Sequence, residues 1–143
     1  MTSERPTQAD WTARRRWFAE TVTRALDDAA AQPGQQAEAL LAELEDVFCV
    51  GAWLSAVILS TAVIEAHLRE TAAPGNALEN TRDLFHRLGL PAEFEELRLL
   101  RNRLVHVQPG SPTLTPDMHW SHGEVFEQDA RDALRLVALA LTR

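Results

Sequence analysis

The feature that most constrains the fold is an uncharged run of eighteen residues, 47–64, in a chain that is 24% charged overall. Its length is at the lower limit for a membrane-spanning helix, which needs about 20 apolar residues. However, the run contains Gly51 and Ser60, and it is flanked by Asp46 and Glu65 without an aromatic or basic belt. A helix that is apolar on all sides is also what the centre of a bundle or a dimer core requires. We therefore predict a buried central helix and no membrane span.

Apolar residues recur at helical spacing through most of the chain, and Pro or Gly separates the segments. The pattern predicts helices over 7–31, 36–71, 77–88 and 92–107, then an irregular loop over 108–122. Thr7 or Asp10 is expected to cap the first helix, and Ser121 and Glu124 form a capping box for the last one. The predicted fold class is all-α: a four- to five-helix up-and-down bundle in a single domain, 1–143, with two long helices at its centre.

The hydrophobic spacing also assigns particular side chains to the core. Leu78 is placed on the inward side of the short helix over 77–88, and Val107 on the same stripe as Leu97 in the helix over 92–107. Val125 is placed on the apolar side of the last helix. The single cysteine, Cys49, lies in an apolar setting and is predicted to be a buried bystander.

Charge and cysteine content limit the possible partners and compartment. The net charge of −7 argues against a broad, nonspecific coat of nucleic acid, but it leaves room for a small basic site. One cysteine excludes a disulfide framework within the chain, and residues 1–6 lack the apolar region of a signal peptide. We expect a cytoplasmic protein.

The sequence predicts neither a metal site nor a cofactor. Asp117, His119 and His122 could be drawn as metal ligands, but their spacing is loose and no cysteine joins them. A glycine-rich phosphate loop and a nucleophile elbow are also missing from the sequence. Any chemistry is therefore expected to come from ordinary side chains.

Basic residues concentrate in one stretch of this acidic chain. Arg98, Arg101 and Arg103 lie within six positions, with Asn102 between them and His106 shortly after. On an ideal helix Arg101 and His106 are about 140° apart and flank one outward face. The sequence thus predicts a cationic, hydrogen-bonding surface on the helix over 92–107.

Two apolar side chains accompany this surface. Val105 lies within the outward arc, and Leu99 lies at its edge. Apolar side chains in a charged patch indicate that a second surface covers it.

The residue types in this stretch suit cleavage of a ribose-phosphate backbone. Histidine can accept and return a proton near neutral pH, and the planar fork of arginine matches phosphate oxygens. An asparagine can orient a hydroxyl group or hold the imidazole. Together they can activate a ribose 2′-hydroxyl and stabilise charge on the adjacent phosphate without a metal ion. The simpler alternative is a solvated helix face with pairs such as Glu95 and Arg98, ending in a histidine favoured by the helix dipole.

Residues 101–106, Arg-Asn-Arg-Leu-Val-His, resemble the Arg-polar-x-x-x-His motif of HEPN domains. HEPN domains are small helical proteins, and many are metal-independent endoribonucleases of toxin–antitoxin and defence systems. The segment 51–65 is similar to the long apolar helix, ending near a glutamate, that many of them carry. The resemblance implies that Arg101 and His106 are catalytic and that Asn102 assists. It also implies a homodimer in which two motif helices pair.

The sequence departs from this family at one position. Some family toxins carry a tyrosine two residues after the histidine, where nucleotide attachment silences them. Here that position is Gln108, and the chain contains no tyrosine. Inactivation at such a tyrosine is therefore excluded, and any antitoxin or regulatory protein partner must act differently.

Three further residues are candidates for a supporting role. Arg98 and Arg103 are expected to help bind the substrate, and Glu65 either pairs with Arg69 one helical turn away or orients Arg101. The predicted function is a metal-independent endoribonuclease that cleaves RNA by 2′-hydroxyl attack at a dimeric Arg/His site. The alternative is a non-catalytic HEPN-like helical dimer that binds a protein or a nucleotide.

Overall fold

The computed structural model describes residues 5–72, 78–107, 109–110, 112 and 114–143. Every regular element in these residues is helical, so the predicted all-α class is confirmed. The helices are α1 (Gln8–Phe18), α2 (Arg24–Asp27), α3 (Gln35–Val50), α4 (Trp53–Thr71), α5 (Thr81–Arg87), α6 (Ala92–Val105), α7 (Pro116–Ser121) and α8 (Gly123–Leu141). Residues 1–4, the predicted turn from 73 onward, the predicted helix start at Ala77, and Gln108 lie outside the described residues.

Helix α4 occupies the centre of the bundle. It packs most extensively against α8 and α3, and it also contacts α6. Its buried side chains join those of α1, α3, α5, α6 and α8 in one hydrophobic core. Ser60 and Thr61 are also buried, and their hydroxyls donate to the carbonyls of Ala56 and Ile58 at 2.7 and 2.6 Å. In the described part of the chain, none of the helices has both the length and the apolar character needed to cross a bilayer.

The predicted helix over 36–71 is wrong in one respect, because the chain breaks it into α3 and α4. Gly51 has φ +83°, a left-handed conformation that favours glycine. The N–H groups of Gly51 and Ala52 donate to the carbonyls of Phe48 and Val47 at 3.1 and 2.9 Å, which is a Schellman motif. The uncharged run therefore forms two helices that pack against each other through a two-residue link.

The first helix is shorter than predicted, and its cap is resolved. Thr7 caps α1 and exchanges hydrogen bonds with Asp10 in a reciprocal capping box. A π-helical turn, Ala19–Thr23, connects α1 to α2, which ends at Asp27 rather than at residue 31.

Helix α6 ends two residues earlier than predicted. His106 has left the helix, with φ −116° and ψ 117°. The β-branched residues Val105 and Val107 are poor helix formers, and Pro109 follows shortly, so the sequence gives little support for another turn. Since the backbone of His106 is extended, the angle of about 140° that an ideal helix would place between Arg101 and His106 does not apply.

The predicted loop over 108–122 contains α7. Thr115 caps this helix and Pro116 occupies its first turn, a combination that favours helix initiation. The predicted capping box of Ser121 and Glu124 is wrong, because the Ser121 hydroxyl donates to the Asp117 carbonyl within α7.

Three side chains assigned to the core are exposed instead. Leu78 is 96% exposed because α5 begins only at Thr81, and Val107 is 85% exposed because it follows the end of α6. Val125 is 55% exposed in the first turn of α8, ahead of that helix's first buried residue, Ala130.

A side chain of α4 caps the N-terminus of α3, which predicts the effect of a small substitution. Glu70 Oε1 accepts the backbone N–H of Ala37 at 3.1 Å, and a Cβ atom at Gly34 would collide with the same carboxylate. We expect Gly34→Ala to displace Glu70 and to lower the free energy of unfolding by about 1 kcal/mol, the usual cost of losing a cap. Urea denaturation measures the change. Gly123→Ala is the control, because its added Cβ meets no atom within 4 Å; an equal loss in both variants would contradict the explanation.

A buried histidine predicts a pH dependence of stability. His67 is 2% exposed, and burial lowers its pKa, although Glu70 and the Ala140 backbone oppose this shift. The folded-state pKa of His67 lies below the unfolded value of about 6.5, because the buried imidazole is more stable when it is neutral. Its contribution to the free energy of unfolding is therefore complete above pH 6.5 and is lost as the pH falls from there through the folded-state pKa. As the pH is lowered from 6.5, we expect the urea concentration at the unfolding midpoint to decrease more steeply in the wild type than in His67→Leu. His86→Leu, at an exposed histidine, should keep the wild-type slope.

Candidate functional site

A cleft of about 400 Å³ opens between α4, α6 and the start of α5. The wall from α4 is formed by Ile58, Thr61, Ala62 and Glu65. The facing walls carry polar and basic side chains, namely Asn80, Thr81, Arg82, Arg98, Arg101 and Asn102. Glu65, Arg98, Arg101 and Asn102, which were singled out from the sequence, thus line one cleft.

The fold presents these side chains through helical periodicity and capping. Arg98, Arg101 and Asn102 follow an i, i+3, i+4 spacing on α6, while Phe94 and Leu97 of the same helix are buried in the core. Burial of this apolar stripe therefore turns the basic face of α6 towards the cleft.

The start of α5 is fixed by its own cap. The Asn80 side chain accepts the backbone N–H of Asp83 at 2.8 Å, which begins the helix. This start brings Thr81 and Arg82 to the edge of the cleft. Sequence reasoning missed these residues because it began the helix near residue 77. The Asn-Thr-Arg-Asp sequence of a typical N-cap was the signal that could have found them.

The arginines of the cleft differ in how their charges are satisfied. Arg98 makes a bidentate ion pair with Glu95, with N–O distances of 2.6 and 2.8 Å, and this hydrogen bonding lowers the pKa of the Glu95 carboxyl group. Within the described residues, Arg82 and Arg101 form no ion pair with a carboxylate. Three arginines and one glutamate, Glu65, therefore line the cleft in a protein of net charge −7, and one of these arginines, Arg98, is already paired with Glu95.

Arg101 and Asn102 are joined side chain to side chain. Arg101 Nη1 donates to Asn102 Oδ1 at 3.0 Å. This bond uses the amide oxygen of Asn102, so its NH₂ group and the other N–H groups of Arg101 stay available as donors. A set of donors with a permanent positive charge is suited to a phosphate or another oxyanion.

Glu65 supports the cleft wall through Arg69, the first of the two partners that the sequence suggests. Its Oε1 accepts from Arg69 Nε at 3.1 Å, and Arg69 Nη2 donates to the Glu79 carbonyl at 2.6 Å. The predicted pair with Arg69 is therefore present, and in the described residues no hydrogen bond or ion pair joins Glu65 to Arg101. The arrangement ties the segment before Asn80 to α4.

His106 and Arg103 do not line the cleft. His106 is exposed just past the end of α6. Arg103 lines a second cleft of about 530 Å³ between α6 and α8, where burial raises the pKa of the Asp129 carboxyl group. Leu99 and Val105, at 42% and 39% exposure, remain on the outer surface of α6 as the sequence predicts.

The positions considered for a metal lie in and after α7. His119 packs beside Trp120, and the ring of His122 lies 3.1 Å from the Ser121 hydroxyl. No group of three His, Cys, Asp or Glu side chains in the described ranges is arranged to hold a metal ion.

No family model, curated protein or solved structure matches this chain.

The link from Arg69 to Glu79 predicts how the cleft wall responds to mutation. A hydrogen bond from a charged donor contributes about 1.5–3 kcal/mol, so Arg69→Met should speed exchange of the amides of Asp83 and Leu84, which donate to Asn80, by about tenfold or more. Hydrogen–deuterium exchange measures this change, with α8 as the internal reference. Glu65→Gln keeps an acceptor for Arg69 and should have a smaller effect. Unchanged exchange at Asp83 and Leu84 in Arg69→Met would show that the link does not hold the wall.

Proposed function

We propose that this protein is a metal-independent endoribonuclease of the HEPN type that acts as a homodimer. The observation that carries the proposal is the pairing of Arg101 with Asn102 inside a cleft that is lined by three arginines and one glutamate. Arg101 has no carboxylate partner in the described residues, so a phosphodiester can take its charge without first breaking an ion pair. The resemblance of residues 101–106 to the HEPN motif adds the reaction class.

In the proposed reaction the scissile phosphate binds to Arg101, and the Asn102 amide donates a further hydrogen bond. His106 acts as the general base or the general acid: it takes the proton of the ribose 2′-hydroxyl while water protonates the departing 5′-oxygen, or it protonates the 5′-oxygen while water takes the 2′-proton. The 2′-oxygen forms a bond to phosphorus while the bond to the 5′-oxygen breaks. The products are a 2′,3′-cyclic phosphate and a 5′-hydroxyl, and Arg101 stabilises the negative charge that builds up on the phosphate.

The exposed position of His106 is accounted for by a second copy. The surface of α6 carries Leu99 and Val105, which are partly exposed beside the cationic residues. Pairing of two α6 helices would cover these apolar groups and bring each His106 close to bound RNA. In this proposal the complete site exists only in the dimer.

A second candidate function is a non-catalytic module that binds a nucleotide or a protein. The observation that favours it is that His106 does not line the cleft that holds Arg101. In that case the cleft binds an anionic ligand and no bond is broken.

Cleavage of RNA in excess EDTA tests the proposal. General acid–base catalysis contributes about 10²–10⁴-fold, so His106→Ala should lose at least about 100-fold in rate. His86→Ala, at another exposed histidine, should cleave like the wild type. DNA of the same sequence should stay intact because it lacks the 2′-hydroxyl, and the RNA products should carry a 2′,3′-cyclic phosphate.

The remaining outcomes separate the two candidate functions. Circular dichroism first confirms that every variant is folded. Equal cleavage by the wild type and His106→Ala would contradict the proposed mechanism. Two results together would instead support the binding module. The wild type would cleave none of several RNAs, and it would bind a nucleotide with an affinity that Arg101→Ala abolishes and Arg24→Ala preserves. Arg24 is a matched control because it is exposed on α2 and does not line the cleft.

A further inference from the structure

Arg82 has no role in the reaction described above, yet it lines the same cleft as Arg101. It comes from α5, whereas Arg98 and Arg101 come from α6. Arg82 also lines an adjoining cleft of about 390 Å³ between α5 and α6. The two clefts therefore meet at its side chain.

The charges around Arg82 favour an anion on the side of the first cleft. Asp83 lines the adjoining cleft and would repel a phosphate there. Glu95 is already engaged by Arg98, while Arg82 forms no ion pair within the described residues. Of the three arginines of the first cleft, Arg82 and Arg101 are thus the two that form no ion pair in the described part of the chain, and the charge of Arg82 is near enough to Glu95 to help lower the pKa of that carboxyl group.

The first cleft has room for more than one phosphate group. Its volume of about 400 Å³ falls within the range of pockets that hold small ligands, roughly 300–1,000 Å³. Its polar donors come from two separate elements: Arg101 and Asn102 on α6, and Arg82 with Thr81 on α5. Each guanidinium presents a planar fork that matches one phosphate.

We infer that Arg82 is a second phosphate-binding residue and that the cleft holds two neighbouring phosphates, one at Arg101 and one at Arg82. The inference rests on the proposed function for the identity of its natural ligand, an RNA strand. The phosphate at Arg82 is then the one next to the scissile phosphate. Arg82 fixes the register of the strand and takes no part in bond breaking.

Calorimetric titration at about 0.15 M salt, where charges more than about 8 Å apart are largely screened, tests the inference without RNA by comparing inorganic pyrophosphate with orthophosphate. The wild type should bind pyrophosphate more tightly than orthophosphate. Arg82→Ala should weaken pyrophosphate binding by about tenfold or more, the loss expected for a charge-assisted contact, and should change orthophosphate binding less than twofold. Arg24→Ala removes the same charge away from the cleft and should leave both affinities within about twofold of the wild type.

Two results would overturn the inference. The first is a wild type that binds pyrophosphate no more tightly than orthophosphate, and the second is an equal loss in Arg82→Ala and Arg24→Ala. Arg82→Gln retains most of the side-chain length without the charge, and it should reproduce the loss seen in Arg82→Ala. The titration involves no cleavage, so its result is independent of nuclease activity. If the wild type cleaves no RNA but prefers pyrophosphate to orthophosphate in a way that depends on Arg82, the proposed nuclease function is refuted and the two-phosphate cleft is still supported.

Discussion

The structure depends on the burial of α4, a helix without a charged residue from its start at Trp53 up to Glu65. Such a helix is stable in water only when other helices cover several of its sides. Helices α3, α8 and α6 provide that cover. The position of α6, and therefore of the cleft that carries its arginines, follows from the need to bury α4.

The three arginines of the cleft illustrate how neighbours decide what a charged residue can do. Arg98 has a bidentate partner in Glu95, so its charge mainly stabilises the start of α6. Arg101 is held by a neutral amide, which orients it, and it forms no ion pair among the residues that the structure describes. Arg82 stands at the junction of two clefts. Equal formal charges thus correspond to a structural ion pair at Arg98, to the proposed site of the scissile phosphate at Arg101 and to the proposed site of a neighbouring phosphate at Arg82.

Hydrophobic spacing predicted the all-α class, the buried position of Cys49 and the shared face of Arg98, Arg101 and Asn102. It could not predict the break at Gly51, because uncharged residues on both sides leave no change of pattern where one helix ends and the next begins. It also could not place His106, since the last turn of a helix depends on local end effects that spacing does not capture. Arg82 lies at the cleft because the cap at Asn80 fixes where α5 begins, and periodicity alone does not locate that start.

The turn at Gly51 also has a consequence for the order in which the core can be assembled. Because only Gly51 and Ala52 separate α3 from α4, bringing these helices together closes a very short loop and costs little chain entropy. The contact of α4 with α8 instead closes a loop that includes residues 72–122. The contacts of α4 with α3 are therefore local in sequence, whereas its contacts with α8 have a high contact order and form only when the C-terminal helix packs onto it. The burial of α4, the most apolar helix, therefore requires both a local contact with α3, which costs little chain entropy, and a long-range contact with α8, which costs more.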